Sequence, residues 1–252
     1  MTSMTQTTIV SPAAPSALLS VEKLHAWYDR SHILQGIDFH VMPGEVISLI
    51  GRNGAGKTTS MKSIMGLLKR TAGQVRFNGI DILATPAHQR FHQGLAFVFE
   101  ERRIVAGLTV MENIELGVIA SPDGRKRTRE IVEEIAETFP RLKERLKQDA
   151  TTMSGGEQQM LAIARAMAAK PTMIMLDEPS EGIMPKLVDE MFEYFMLLKN
   201  KGVTILLVEQ SVEHALAISD RAYIMDQGQI VHEAAALDLL DDAEIQERYC
   251  SV

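Results

Sequence analysis

The chain has 252 residues, a formal net charge of −7, and 46% hydrophobic and 23% charged residues. That length allows one large domain or two small ones; the composition is ordinary for a soluble globular protein, and the acidic balance argues against nonspecific binding to nucleic acid or anionic lipid. The single cysteine, Cys250, cannot form an internal disulfide and points to a reducing compartment, and no run approaches the roughly 18 apolar residues of a membrane span.

The first 17 residues, MTSMTQTTIVSPAAPSA, carry no basic residue and no apolar block. They do not make a secretory signal, and their Thr/Ser/Ala/Pro content predicts a disordered leader. The protein is therefore expected to be soluble and cytoplasmic, which leaves docking onto a membrane protein open.

From Leu18 to about Ile50 the pattern is short strands and turns. GIDFHVMPGEVISLI alternates at Ile37, Phe39 and Val41, turns at Pro43-Gly44, and continues as an apolar strand. Trp27 and Tyr28 stand ahead of it, and an aromatic there reads equally as core or as a platform for a base. GRNGAGKT, Gly51 to Thr58, follows that strand and opens the helical pattern TTSMKSIMGLL, which is the context a phosphate-binding loop requires. Gly51, Gly54 and Gly56 let the backbone wrap phosphate oxygens with no Cβ in the way. Lys57 then reaches the β and γ phosphates and Thr58 offers its hydroxyl to Mg²⁺; Asn53 and Thr59 complete the predicted phosphate set.

GQVRFNGIDI places Asn78-Gly79 between apolar flanks, a hairpin signal, and LAFVF from Leu95 predicts a buried strand. The section from about Gly107 to Ala169 is helical and more charged between Gly124 and Asp149. Ile131, Ile135 and Phe139 share one helix face, Pro140 interrupts, and Leu142 and Leu146 continue the apolar side. Within this section Thr152 begins TMSGGEQQMLAIARAMA, a serine and two glycines before a long helical run. Small residues at a helix start form an anion site, a second one about a hundred residues after the first.

Beyond Pro171 strands and helices alternate. TMIMLDE is a strand ending in Asp177 and Glu178, KLVDEMFEYFMLLKNKG an amphipathic helix, VTILLVEQ a strand, SVEHALAIS a helix, and RAYIMDQGQIV a hairpin about Gln227-Gly228. The alternation predicts a parallel sheet. Carboxylates at a core strand's C-terminal end stand where open α/β sheets bind ligands. Asp177 is expected to hold Mg²⁺ through water and Glu178 to polarise the attacking water, although either alone could simply cap the next element.

A phosphate loop, then SGGEQ opening a helix, then LDE, resembles the ATP-binding-cassette (ABC) ATPases from Leu18 to at least Val231. The resemblance implies an α/β P-loop NTPase core with an antiparallel β subdomain and a helical subdomain inserted at about 100–168 of a domain spanning 18–252. GRNGAGKTT, EERRIVAGLTVMENI, LDEPSEGIMP and ILLVEQSVEHA are similar to the shorter ATPase subunit of bacterial importers for branched-chain amino acids. By that resemblance Tyr28, not Trp27, stacks on adenine. Ser154, Gly155, Gly156 and Glu157 serve the ATP held by another chain's phosphate loop, in a head-to-tail pair of identical or different ATPases. The loop of Ser180 to Ile183 touches that partner, and EERRIVAG lines a groove for a cytoplasmic helix of the transmembrane permease. A periplasmic binding protein takes part indirectly, nucleic acid does not, and the subunit lies on the cytoplasmic face of the inner membrane.

Two positions depart from the usual family pattern. Glu100 stands where a metal-side Gln is common, adding a charge that can ligate Mg²⁺. Gln210 stands where a His is common; it can donate a hydrogen bond to the γ-phosphate but cannot titrate, so an imidazole-linked pH step is not expected. Transporters of urea, amides or lipopolysaccharide, and ABC ATPases outside transport, are the alternatives. A P-loop kinase would leave SGGEQ without a role.

Overall fold

The structure, a computed structural model, describes residues 16–121 and 124–242. The expected leader lies outside these residues apart from Ser16 and Ala17, and Cys250 lies outside them too. The chain begins with β1 (Leu19–Tyr28), β2 (Ser31–Val41), β3 (Val46–Ile50), α1 (Lys57–Ile64), β4 (Arg70–Phe77), β5 (Ile80–Asp81), α2 (Ala87–His92) and β6 (Leu95–Val98). Four helices follow: α3 (Val110–Ala120), α4 (Gly124–Thr138), α5 (Pro140–Lys143) and, after a short turn at Ala150–Thr152, α6 (Gly155–Ala168). The last elements are β7 (Met173–Asp177), α7 (Pro185–Asn200), β8 (Thr204–Val208), α8 (Val212–Ile218), β9 (Arg221–Asp226), β10 (Gln229–Ala235) and α9 (Ala236–Asp241).

Among the described residues the strands form two sheets. The first is antiparallel in the order β2-β1-β4-β5. The second runs β10-β9-β3-β8-β7-β6, parallel except for β10 at its edge. The sequence explains the difference. Every residue of β3, β7 and β8 is buried, as strands covered on both faces require. By contrast β2 alternates, with Ile37, Phe39 and Val41 inward. Successive side chains of β7 and β8 serve opposite cores. Ile174, Leu176, Ile205 and Leu207 pack with α3, α4, α6 and α7, while Met173, Met175, Leu206 and Val208 pack with α1 and the antiparallel sheet.

Both hairpins turn where the sequence places them. Asn78-Gly79 (φ +50° and +77°) and Gln227-Gly228 (φ +45° and +80°) carry the two left-handed residues that such turns need. One boundary differs from expectation. The helix after the phosphate loop ends at Ile64 instead of running to Leu68. Gly66 explains the stop: left-handed at φ +75°, it donates its amide to the Ser63 carbonyl (3.0 Å), and the Leu67 amide donates to that of Lys62 (2.9 Å), a glycine C-cap. Arg90, buried to 2% exposure, braces this end by donating to the carbonyls of Ser63 (3.1 Å) and Ile64 (2.5 Å). Gly66 passes so close that a Cβ there would lie 2.7 Å from the guanidinium. The six-residue helices α2 and α9 were not expected at all, since six residues are too few to establish a 3.6-residue period.

Candidate active site

Four strand ends build one edge. In the parallel register Leu49 pairs with Val208, Val208 with Asp177, and Leu176 with Val98. The residues that leave β3, β8, β7 and β6 therefore emerge side by side at the carboxyl edge of the sheet. That is where an open α/β sheet binds its ligand. Glycine 51, Gln210, Glu178 and Glu100 all follow those ends, although they span about 160 residues of sequence.

The phosphate loop closes tightly over the start of α1. Gly51 has φ +152°, and a Cβ there would meet the Met225 carbonyl oxygen at 2.2 Å. Gly56 caps α1 in the left-handed region at φ +111°, and a Cβ would press Leu34 at 2.9 Å. Larger residues fit at neither position. The Lys57 ammonium reaches back over the loop, donating to the carbonyls of Gly51 (2.7 Å) and Arg52 (3.3 Å). A cavity of about 230 Å³ is lined by Asn53, Gly54, Gly56, Lys57, Thr58 and Thr59, joined by Ile33 and Glu178. Six of the residues expected to bind phosphate thus face one space together with the expected base. Tyr28 sits at the end of β1, 44% exposed, while Trp27 stacks on His32 at 4.6 Å under the Arg70 guanidinium. Of the two aromatics, Tyr28 presents the accessible ring.

The carboxylates lie beneath that space. Asp177 is 2% exposed and accepts a hydrogen bond from the Thr58 hydroxyl at 2.9 Å. Burial raises its carboxyl from 3.8 to about 6, with Glu178 and Glu100 adding repulsion against the Thr58 bond. Glu178 follows in a left-handed conformation, φ +45°, and its amide donates to the Val208 carbonyl at 2.8 Å. Its Oε2 accepts from Gln210 Nε2 at 2.7 Å. Gln210 rather than Glu209 is therefore the side chain that faces Glu178. The next histidine in the chain, His214, is engaged instead with Ser211 (2.7 Å) and Asp189 (3.5 Å).

The second small-residue segment is built separately. Ser154, Gly155 and Gly156 are not among the residues lining the phosphate-loop cavity. Ser154 caps α6 in a reciprocal box: its hydroxyl accepts from the Glu157 amide, and the Glu157 carboxylate accepts from the Ser154 amide at 2.9 Å. Glu157 is 7% exposed and also pairs with Arg145 at 3.1 Å, so its carboxylate is turned into the cap. The first intrahelical bond runs from Gln158 to Ser154, which leaves the amides of Gly155 and Gly156 at the mouth of the helix. A cavity of about 190 Å³ lies beside Phe97, Phe99, Arg102, Arg103, Leu116 and Arg165. Two residues of EERRIVAG thus line it, and Arg103 stacks 3.6 Å above Phe99.

Two features escaped the sequence. The Ser154–Glu157 cap was legible in principle, because S-x-x-E before an apolar run is the capping-box pattern. Glu209 is 2% exposed, and its carboxylate accepts from Ser180 N (2.9 Å), Ser180 Oγ (2.8 Å) and Gln210 N (3.0 Å). Burial pushes its carboxyl up while those donors pull it down. Its only sequence signal was a carboxylate directly after five buried strand residues.

Comparison with known proteins places these features in a family. The model of the ABC transporter family matches residues 34–181. The chain is 38% identical to the high-affinity branched-chain amino acid transport ATP-binding protein BraG of Pseudomonas aeruginosa, over 92% of this chain and 99% of that one. It is 36% identical to the probable branched-chain amino acid transport ATP-binding protein LivF of Archaeoglobus fulgidus, over 91% and 97%. The lipopolysaccharide export system ATP-binding protein LptB of Escherichia coli is 30% identical, over 92% and 97%. A solved nucleotide-free ATP-binding cassette from an ABC transporter superposes with a TM-score of 0.80 at 30% identity, covering 92% of this chain and 98% of that one. Another ABC transporter cassette, in its ADP conformation, gives 0.79 at 30% identity with the same coverage.

Proposed function

The chain belongs to the ABC transporter family, and from that premise we propose that it is the ATP-hydrolysing subunit of an importer for branched-chain amino acids. Two relatives named for that transport, each matched over more than nine-tenths of both chains, support the substrate class. The observation that carries the enzymatic part is the cluster at the sheet edge: Lys57 and Thr58 on one wall, Asp177 below, and Glu178 bonded to Gln210.

The residues divide the work of phosphoryl transfer. Loop amides and Lys57 hold the phosphates, and Tyr28 offers a face to the base. Thr58 and Asp177 present hard oxygens, the donor chemistry that suits Mg²⁺, and Glu100 stands close enough to add charge. Among the described residues no group of three or more His, Cys, Asp or Glu is arranged to hold a metal; Mg²⁺ held by one or two protein oxygens would take its other ligands from substrate phosphate and water. When bound, the metal neutralises charge developing on the β and γ phosphates. Glu178 orients the attacking water, and Gln210 holds the Glu178 carboxylate from the other side.

The mouth of α6 serves a nucleotide held by a second ATPase, identical to this chain or a paralogue of it. The groove beside Arg102 and Arg103 receives a cytoplasmic helix of the permease, which places the subunit on the cytoplasmic face of the inner membrane. No helix among the described residues is long and apolar enough to cross a membrane. The periplasmic binding protein contacts the permease and not this chain.

Deleting the gene in the source organism and measuring uptake of labelled leucine, isoleucine and valine tests the substrate class. Saturable uptake is expected to disappear, to return with the wild-type chain, and to stay absent with Glu178→Gln. Unchanged uptake in the deletion strain would overturn the proposed cargo. An outer-membrane lipopolysaccharide defect in the same strain would instead favour the export reading that the 30% identical relative raises.

A further inference from the structure

Two loops at the sheet edge are tied into a closed ring. The peptide runs from Glu178 through Pro179 to Ser180 on one side, and from Glu209 to Gln210 on the other. Ser180 is bound to Glu209 by its amide (2.9 Å) and its hydroxyl (2.8 Å), while Gln210 is bound to Glu178 at 2.7 Å. A third bond from the Gln210 amide, 3.0 Å, folds the Glu209 carboxylate over its own loop. All these partners are donors, so an acceptor-only carboxylate is the group they suit. The carboxylate is 2% exposed, and burial on this scale has a cost only good partners offset. An apolar residue at the end of a buried strand would cost less; the charge is explained by what it holds.

We propose that Glu209 is a positioning residue for ATP hydrolysis: by clamping Ser180 and the Gln210 backbone, it sets the Gln210 amide against the Glu178 carboxylate and fixes the direction in which Glu178 faces its water. The inference rests on the reading of Glu178 as the base. It adds a residue that does not line the phosphate-loop cavity. The loop of Ser180 is also the one expected to meet the partner ATPase, so the clamp links that contact to the base within two residues.

In Glu209→Gln the side chain keeps its shape but turns an NH₂ toward donors, so one arm of the clamp breaks. Steady-state hydrolysis and fluorescent-nucleotide binding by the full chain are then compared across Glu209→Gln, Gln210→Ala and the double variant. The expected result is a fall in kcat of about tenfold in Glu209→Gln with ATP affinity unchanged, and less than about twofold further loss when Gln210 is already Ala. A merely structural role would give losses that multiply in the double variant, or ATP affinity falling with kcat; either outcome, or wild-type kcat in Glu209→Gln, overturns the proposal. Should Glu209→Gln fail to fold, Ser180→Ala removes one donor pair and is expected to show a smaller fall with the same dependence on Gln210. Glu178→Gln, measured alongside, separates the two claims: normal turnover there refutes the base itself, whatever Glu209 does.

Discussion

At the scale of single residues, Asp177 is the position where stability and function conflict most directly. Its carboxyl is raised from 3.8 to about 6 chiefly by burial. A raised acid stabilises the fold fully below the ordinary value and loses that contribution as pH rises through about 6. At neutral pH the nucleotide-free chain therefore holds a buried charge at a cost. Asp177→Asn, which still accepts from Thr58, is expected to be more stable than wild type above pH 6 by about 2 kcal/mol, or roughly 5 °C in Tm. The gain should vanish below pH 4, and hydrolysis should be lost. Thermal melts from pH 4 to 8 check the sign; a constant offset would show that burial of the charge is not the cause. Legibility at this scale follows chemistry. Gly51, Lys57 and Asp177 announce themselves because few residues can do their tasks. Glu209 does not, because its partner Ser180 is 29 residues away and only the register of β7 against β8 brings them together.

At the scale of elements, hydrophobic pattern was enough where it was long. The strands β3, β7 and β8, each apolar but for one residue, and the alternating β2 were readable, as were both left-handed hairpin turns. The end of α1 was signalled by Gly66, a C-cap glycine that the longer expected helix ran through; the brace on that end was not legible, because it comes from α2. Arg90 donates to four carbonyls, those of Ser63, Ile64, Leu83 and Thr85, and burial pushes its own pKa down to about 10. Arg90→Met removes the side-chain donor from all four carbonyls and leaves Ser63 with the Gly66 amide, at a cost of about 3 kcal/mol. The expected drop in Tm is roughly 10 °C. Arg129→Ala, which removes an i,i+4 pair whose arginine is 92% exposed, is expected to leave the melt unchanged. Equal effects from the two variants would contradict the role of Arg90 as the brace on the end of the phosphate-loop helix.

At the scale of the whole molecule, the chain carries two segments expected to bind anions, on separate elements. Around the phosphate loop, the cavity is complete with Asp177, Glu178 and Gln210 beside it. Around Ser154, the start of α6 is capped by Glu157, which pairs with Arg145, and Ser154 is not part of that cavity's lining. Neither the helix pattern nor the small residues alone could say whose phosphate the second segment serves; the family resemblance points to a second ATPase, and the absence of Ser154, Gly155 and Gly156 from the lining of the phosphate-loop cavity agrees with that proposal. The isolated chain decides the point through fluorescent-ATP affinity in Ser154→Arg and Lys57→Ala. We expect Ser154→Arg to bind within about twofold of wild type, while Lys57→Ala loses about tenfold or more, the loss of a charge-assisted phosphate contact. Equal weakening in both variants would mean that Ser154 serves its own chain's nucleotide, and the two-chain account would be wrong.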